Sequence, residues 1–333
     1  MRMRRSERAQ WNPEELKLSS RNRLKLSLPG FEGSLRVEIP FFVLVGKKRE
    51  SRTLIMAGVH GDEYEGVAVL HDLASEINPR NLEGTLTLLP VANPQALLAG
   101  TRRNPVDLGD LNRSFPGCPN GTLCERLAWT LFHELVLGND HVMSIHGWSR
   151  ESVVVPYVEY PAGNSVVCRR SYAAARALGL KFLHPYRWPK GVLGQATLPR
   201  GIATIEPEVG GMGTLSAEGQ SVCRDMVFRL LQHLKMIDLG DALGSPPCTG
   251  PRTIDHVDLF ASHAGLFRSR VSLEQVVETG EIVGTVHGLG GECLEELRAP
   301  RSGLVGVLRT FCSVHPGERL VQLFWETGRA TAR

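Results

Sequence analysis

The sequence predicts an α/β sandwich with a largely parallel or mixed sheet, followed by a smaller β-rich module. Between residues 53 and 235, short apolar runs of strand-forming residues alternate with stretches of helical periodicity, as in α/β proteins. A Pro/Gly-rich break covers residues 240–252, and beyond it short apolar runs recur between glycines without a long helical pattern. The change of pattern indicates two domains, residues 1–240 and residues 253–328.

The first domain is expected to begin with a strand meander, because segments such as R-L-K-L-S-L and S-L-R-V-E-I alternate through residues 23–45. The further strands predicted from apolar runs are 53–57, 84–91, 141–145, 153–158 and 203–209. The helices predicted from periodicity are 65–76, 123–137, 166–178 and 217–235. In a sheet of this kind the ligand site lies beyond the carboxyl ends of the strands.

Residues 253–328 are expected to form a β-barrel or β-sandwich that is accessory to the chemistry. Glycines punctuate the whole segment, which favours short strands joined by tight turns. Its histidines, His256, His263, His287 and His315, lack metal-ligand spacing, so each is expected on the surface or satisfied in the core.

Composition excludes several classes of protein. The chain has 333 residues, 42% hydrophobic and 22% charged, as in ordinary globular proteins, and its net charge of +3 is too small to indicate nucleic-acid binding. No apolar run has the length of a membrane span, and none follows the basic residues 1–5 as in a secretory signal. Seven cysteines without a C-x-x-C pair argue against a disulfide framework. We expect a cytoplasmic protein without a nucleic-acid or membrane partner; a homo-oligomer stays open.

The first candidate ligands follow the strand at residues 53–57, in the stretch T-L-I-M-A-G-V-H-G-D-E-Y-E-G. Gly58 permits a sharp exit from a buried strand, and His60 and Glu63 come directly after it. Their i, i+3 spacing lets an imidazole and a carboxylate converge where a loop becomes a helix. The same spacing is common on solvated helix faces, so the pair alone is weak evidence for a metal site.

A third ligand is expected from the end of another strand. The run V-M-S-I-H-G-W places His146 where the strand at residues 141–145 ends. Taken alone, a strand-end histidine is more often a satisfied core residue. Together with His60 and Glu63, however, it would leave a fourth tetrahedral position open, which is the arrangement of a catalytic zinc.

Two further stretches carry polar side chains suited to catalysis. The loop G-T-R-R-N-P-V-D-L-G-D-L-N-R-S-F-P-G, residues 100–117, holds arginines that could grip a carboxylate or polarise a carbonyl, although a solvated basic loop would look the same. The stretch G-I-A-T-I-E-P-E-V-G-G-M-G places Glu206 and Glu208 on one face of a strand. One of them could act as a general base and the other as a structural carboxylate.

The motifs G-V-H-G-D-E, T-R-R-N-P-V-D with D-L-N-R-S-F-P-G, S-I-H-G and E-V-G-G, in this order and spacing, resemble the succinylglutamate desuccinylase/aspartoacylase family. That family belongs to the zinc-carboxypeptidase superfamily. The likeness covers about residues 52–235, and the Gly-rich module is similar to the β-rich module of many members. The resemblance implies a zinc-carboxypeptidase-like α/β/α sandwich with a mixed sheet.

The resemblance also implies one zinc ion per chain, held by His60, Glu63 and His146, with Glu208 as general acid/base. Many members have Asp two positions before the last histidine ligand, where this chain has Ser144, as carboxypeptidase relatives do.

For the arginine loop, the resemblance implies that Arg102 polarises the substrate carbonyl and that Asn112 and Arg113 bind a substrate carboxylate. Many members have a single arginine before an aromatic residue where this chain has Arg102-Arg103. Arg103 is therefore a second candidate for carbonyl polarisation as well as a candidate substrate-binding residue.

These implications predict a zinc-dependent deacylase that cleaves the amide of a small N-acyl amino acid or related compound by attack of a zinc-bound water. The alternative is a zinc carboxypeptidase or muropeptide peptidase acting on a short peptide, since one site geometry can cleave either amide and pocket shape decides. An alternative of a different class is a non-catalytic metal-binding scaffold.

Overall fold

The computed structural model describes residues 11–28, 37–240 and 243–327. The basic cluster at residues 1–5 and the middle of the predicted meander lie outside these ranges. Among the described residues, none of the helices combines the length and apolar character that a membrane span requires.

The part of the chain before the Pro/Gly-rich break forms alternating strands and helices. Its strands are β1 (Ser20–Ser27), β2 (Glu38–Val45), β3 (Arg52–Met56), β4 (Thr85–Leu89), β5 (His141–Ser144), β6 (Ser152–Pro161), β7 (Phe182–Tyr186) and β8 (Ala203–Gly211). Its α-helices are α1 (Glu65–Glu76), α2 (Pro94–Ala99), α3 (Leu123–Leu131), α4 (Val166–Ala177), α5 (Leu193–Thr197) and α6 (Ala217–His233).

The part after the break is built from strands in the described residues. These strands are β9 (Arg252–Phe260), β10 (Gly265–Ser269), β11 (Val276–Val277), β12 (Ile282–His287), β13 (Cys293–Arg298), β14 (Gly303–Arg309), β15 (Ser313–Val314) and β16 (Arg319–Glu326). Four of them form a separate sheet in the order β13-β12-β10-β15.

The central sheet is mixed, in agreement with the predicted fold class. Its strand order is β1-β2-β4-β3-β5-β8-β6-β7-β9-β16-β14-β11. Strands β4, β3, β5 and β8 run parallel to one another, whereas β1, β2 and β6 pair antiparallel to their neighbours β2, β4 and β8. The carboxyl ends of β3, β5 and β8 therefore meet at one edge, where a ligand site is expected.

Helices cover both faces of the sheet, because side chains along each strand alternate between two apolar cores. In β3, Ile55 packs with α1, α4 and α6 on one face. Leu54 and Met56 pack with α3 and α5 on the other face. The resulting α/β/α sandwich confirms the fold class that the family resemblance implied.

The predicted helices and strands occur at their expected places with small shifts of their ends. Helix α3 begins at a capping box, in which Thr122 accepts from the backbone of Glu125 and the Glu125 side chain accepts in return. It stops at Leu131, and a π-helical turn, Phe132–Val136, completes the predicted helical stretch. The sequence prediction missed β7, α2 and α5, which have only five or six residues each, too few to show a clear period.

The strands beyond the break are hydrogen-bonded to the sheet of the first part. Strand β9 pairs with β7, and β14 pairs with β6. With the pairs β6–β7, β9–β16 and β14–β16, these five strands form a closed ring. Its interior is an apolar cluster that includes Tyr157, Phe182, Ile254, Val307 and Phe324, one from each strand. The domain boundary at residues 240–253 stays a prediction. Backbone hydrogen bonds of the sheet connect the segments on either side of it.

Candidate active site

The structure brings His60, Glu63 and His146 together at the carboxyl edge of the sheet. Gly58, with φ of +60°, ends β3, and the loop that follows carries His60 and Glu63 to the start of α1. At Gly61, a Cβ atom would lie 1.9 Å from the backbone of Ala96, so the loop requires glycine there. His146 lies two residues after the end of β5, which is parallel and adjacent to β3.

The Glu63 carboxylate lies between the two imidazoles. Its Oε1 atom is 2.6 Å from Nδ1 of His60, and its Oε2 atom is 3.1 Å from Nδ1 of His146. All three side chains are buried. Burial alone would raise the pKa of Glu63, but the two adjacent histidines outweigh it and lower that pKa. The ligand atoms of the three residues lie within 4.8 Å of one another, so this group can hold a metal ion.

The far nitrogen of each ring is held by another polar group. Nε2 of His60 is 3.2 Å from Oδ1 of Asp110, and Nε2 of His146 is 3.0 Å from Oγ of Ser144. Both Nδ1 atoms therefore face Glu63. Orientation of ligating histidines by a second polar partner is typical of metal sites, so the surroundings of these rings fit a bound cation.

A second group of potential ligands consists of His184, Asp255 and His256. Only His184 is buried in it, and the side chain of Asp255 is 56% exposed. Oδ1 of Asp255 also accepts the backbone N–H of His256 at 2.8 Å. The first group offers the stronger donor set, because its three side chains are buried and face one another.

The two neighbouring arginines point in different directions. Arg102 lines the cavity beside the His/Glu group, where it forms an ion pair of 3.1 Å with Asp110 and lies 3.9 Å from Glu63. Arg103 is exposed, does not line that cavity, and donates to the carbonyl of Leu108 at 3.1 Å. The geometry thus favours Arg102 as the arginine that can reach a substrate carbonyl.

Asn112 and Arg113 both line the cavity, but their contacts differ. The Asn112 amide is buried: it donates to Oε2 of Glu206 at 3.1 Å and accepts from the backbone N–H of Leu193 at 3.0 Å. The guanidinium of Arg113 donates to the carbonyl of Asn112 at 2.7 Å, and its exposed side chain lines the cavity. Arg113 is therefore better placed than Asn112 to contact a ligand carboxylate.

The carboxylates of β8 also differ in their surroundings. Glu206 is satisfied, since it accepts from Asn112 and, at 2.9 Å, from the backbone N–H of Gly194. Glu208 lines the same cavity, and its buried Oε2 atom lacks a hydrogen-bond partner among the described residues. Burial, followed by the negative charges of Glu63 and Glu159, raises the pKa of Glu208 well above its ordinary value. Of the two, Glu208 has the character of a proton-transfer group.

One cavity of about 480 Å³ is lined by His60, Arg102, Arg113, His146 and Glu208. Several of its walls come from residues that the sequence did not single out as functional. In the first part of the chain they are Trp148, Tyr157, Glu159, Tyr186 and Trp188, and in the strands beyond the break they are His256, Arg319 and Gln322. Glu159 had a visible signal, because it is a lone acid in the apolar run V-V-V-P-Y-V-E-Y.

Comparison with known proteins places these features in a family. The profile of the succinylglutamate desuccinylase/aspartoacylase catalytic domain matches residues 49–234. The N-alpha-acetyl-L-2,4-diaminobutyric acid deacetylase of Halomonas elongata is 29% identical over 308 residues, which are 89% of this chain and 89% of that protein.

Solved structures give the same result. A succinylglutamate desuccinylase/aspartoacylase from Rhodobacter sphaeroides is 27% identical with a TM-score of 0.83, covering 94% of this chain and 98% of its own. The product-bound ectoine utilization protein EutE (DoeB) from Ruegeria pomeroyi is 25% identical with a TM-score of 0.83, covering 93% and 97%. The similarity therefore extends beyond the catalytic domain into the C-terminal strands.

Proposed function

Because this chain belongs to the succinylglutamate desuccinylase/aspartoacylase family, we propose that it is a zinc-dependent deacylase that hydrolyses the amide of small N-acyl amino acids. One observation carries the proposal. The two histidines of the buried group His60, Glu63 and His146 line the same cavity as Glu208, a half-buried carboxylate whose buried Oε2 atom is unpaired in the described structure. A candidate metal site beside a candidate proton-transfer group is the arrangement that metal-assisted hydrolysis requires.

We propose that His60, Glu63 and His146 hold the metal, one ion per chain. The set of two imidazoles and one carboxylate is that of catalytic zinc sites, and the contacts of Asp110 and Ser144 with the ring Nε2 atoms support it. Zinc bound there would activate water and polarise a carbonyl near neutral pH.

Glu208 is the proposed general acid/base. Its raised pKa suits a group that accepts a proton from the attacking water and then delivers it to the departing amine nitrogen. Glu206 is the proposed structural partner, since Asn112 and Gly194 already occupy its two oxygens.

Arg102 is the proposed group for carbonyl polarisation, because its guanidinium lies beside Glu63 and faces the cavity. Negative charge that develops on the substrate oxygen would strengthen its interaction with this side chain. Arg113 is the proposed anchor for the substrate carboxylate. Asn112 contributes by positioning Glu206 through its side-chain amide and the guanidinium of Arg113 through its backbone carbonyl.

The size of the cavity supports a small substrate. A volume of about 480 Å³ lies toward the lower end of the roughly 300–1,000 Å³ of small-molecule sites. The Halomonas elongata relative is named for an N-acetylated amino acid, which suits such a cavity. A cytoplasmic location is also proposed, since all seven cysteines are free.

Hydrolysis of a panel of N-acetyl and N-succinyl amino acids, with short peptides and muropeptides alongside, tests the proposal. The zinc-loaded protein is expected to cleave at least one N-acyl amino acid faster than any peptide, and removal of the metal by a chelator is expected to abolish the activity. Preference for peptides would establish the peptidase alternative. Stoichiometric zinc binding without turnover of any compound would establish a metal-binding scaffold.

A further inference from the structure

We propose that His184, Asp255 and His256 form a second, weaker site for a divalent transition-metal cation, built from residues other than those of the proposed catalytic site. The second site borders the same cavity, because His256 lines it. Its ligand is Zn²⁺ or a similar ion, since imidazole nitrogens favour such cations, whereas Mg²⁺ and Ca²⁺ prefer oxygen ligands. The inference is carried by strand register, by the contacts of His184 and by the charges around it.

The pairing of β7 with β9 brings the three ligands together. Its last pair is Leu183 with Thr253. His184 follows directly on β7, and Asp255 and His256 follow two and three residues later on β9. The three side chains therefore meet just beyond the paired part of the two strands, where their ligand atoms lie within 4.8 Å of one another.

The buried ring of His184 is oriented as a metal ligand would be. Glu159 lies directly opposite it on β6, and Oε1 of Glu159 is 3.4 Å from Nδ1 of His184. The indole N–H of Trp188 donates to Oε2 of Glu159 at 2.9 Å, which holds the carboxylate in place. A histidine that donates its Nδ1–H to a carboxylate presents an unprotonated Nε2 atom, as ligating histidines commonly do.

The Nε2 atom of His184 faces Asp255 across a gap without a direct hydrogen bond. Oδ1 of Asp255 is 4.0 Å from it, which is too far for such a bond. Two bonds to one zinc ion, each about 2.0–2.2 Å long, span this distance. The same Oδ1 atom accepts the backbone N–H of His256 at 2.8 Å, which orients the carboxylate.

His256 completes the donor set. Its ring centroid lies 4.8 Å from that of His184. In the described part of the chain, neither ring nitrogen of His256 has a hydrogen-bond partner, so both are available to an ion. Because this side chain lines the cavity, water can supply the remaining coordination positions.

The charges around the group favour a cation. Among the residues that the structure describes, His184 is the only basic side chain within 4 Å of Glu159 or Asp255. Two carboxylates therefore flank one imidazole without an arginine or a lysine. When His184 is neutral, the negative charge of this corner is uncompensated, and a divalent ion would neutralise it.

The second site is expected to bind its ion more weakly than the first. The side chain of Asp255 is 56% exposed, so its ordering costs conformational entropy, whereas all three ligands of the first site are buried. Dialysis should therefore remove the second ion and leave the first.

Calorimetry tests the site by titration of dialysed, zinc-loaded protein with ZnCl₂. One further saturable event per chain is expected, and excess Mg²⁺ should not displace it. His256→Ala should abolish the event, because two protein donors remain. Glu159→Gln should weaken it about 10- to 100-fold, as loss of a group that orients a ligand does. The matched control is His263→Ala, since this exposed histidine also lies near a carboxylate, 3.6 Å from Glu295, and should leave the event unchanged.

The absence of a second event, or an event that survives His256→Ala, would overturn the second site and leave the first one intact. In that case a protonated His184 balances the two acids. His60→Ala separates the sites, because it should lose the tight ion and keep the weaker event. Zinc-soaked wild-type crystals give a readout that needs no variant. An anomalous peak is expected between His184 and His256, and its absence at saturating zinc would overturn the site even if a variant misfolds.

One consequence for catalysis rests on the proposed function. An ion on the cavity wall beside Glu159 would obstruct the substrate, so zinc beyond one equivalent is expected to raise KM, and His256→Ala should lose this effect. Unchanged KM with the second site filled would overturn this consequence and keep the site. Failure to hydrolyse any compound would refute the proposed function, while calorimetry would still decide whether the second site exists.

Discussion

The two halves of the cavity are built in different ways. On the metal side, His60, Glu63 and His146 come from the ends of parallel strands, and polar neighbours hold their reactive atoms. On the distal side, Glu159 lies on a strand face, with Arg319 contributed by a strand beyond the break. The ends of the parallel strands thus position the proposed catalytic groups, and the closed ring of strands forms the part of the cavity wall that would contact the rest of the substrate. Substitutions on the metal side should therefore lower kcat, and those on the distal side should change KM.

The largest effect is expected from loss of a proposed metal ligand. His60→Ala or His146→Ala leaves two protein donors, too few for tight catalytic zinc binding, so zinc and activity should both be lost. Elemental analysis after dialysis measures the metal. His256→Ala, which removes a histidine on the distal side of the same cavity, is the control and should keep zinc. Full occupancy in both ligand variants would refute the assignment, and two zinc ions per wild-type chain would bring in the second group at His184.

The next largest effect is expected at Glu208. Glu208→Gln keeps the shape of the side chain and removes its proton acceptor, so kcat should fall about 10²- to 10⁴-fold while zinc and substrate still bind. Steady-state kinetics with metal analysis measure both. In Glu206→Gln the change should act mainly on stability, because an amide NH₂ would face a donor where Glu206 now accepts from Asn112 and Gly194. If Glu208→Gln is active and Glu206→Gln is folded but inactive, Glu206 is the general acid/base and Glu208 is the structural carboxylate.

A smaller effect on kcat is expected from Arg102. Arg102→Ala should lower kcat about 10²-fold, because its interaction with the substrate oxygen strengthens as negative charge develops. Arg103→Ala is a matched control, since its guanidinium contacts Leu108 outside the cavity, and its kinetics should resemble the wild type. A larger loss of kcat in Arg103→Ala would transfer the polarising role to Arg103.

The smallest effect is expected at Arg113. Arg113→Ala should raise KM for a carboxylate-bearing substrate by about 10-fold or less and leave kcat nearly unchanged, because the carboxylate does not change during the reaction. The same variant should have little effect on a substrate whose carboxylate is replaced by an amide. A fall in kcat as large as the rise in KM would indicate that Arg113 contacts the reacting groups and does not serve only as an anchor for the carboxylate.

How far sequence could predict the site depended on how local each signal was. His60, Glu63 and His146 follow apolar strands and stand beside glycines, so their placement could be inferred without knowing any long-range pairing. Arg102 and Arg103 are adjacent, and only the fold determines which of them faces the cavity.

The distal wall depends on pairings between distant segments. Glu159 is visible in the sequence as an isolated acid, but its position near Glu208 follows from the register of β6 with β8. The same holds for Arg319, which reaches the cavity because β14 pairs with β6 and β16 pairs with β14. Neither pairing leaves a pattern within a short window of sequence.

The closed ring of strands also determines how parts of this protein could be exchanged with those of a relative. Ser152, Val153 and Val154 pair with Arg309, Leu308 and Val307, so a transplanted C-terminal segment must match that register before it can close the ring. A segment that matches brings its own residues to the positions of His256, Arg319 and Gln322. A productive chimera with its junction in residues 240–252 would thus acquire the donor's substrate wall together with the donor's strands, while the recipient's metal side stayed intact.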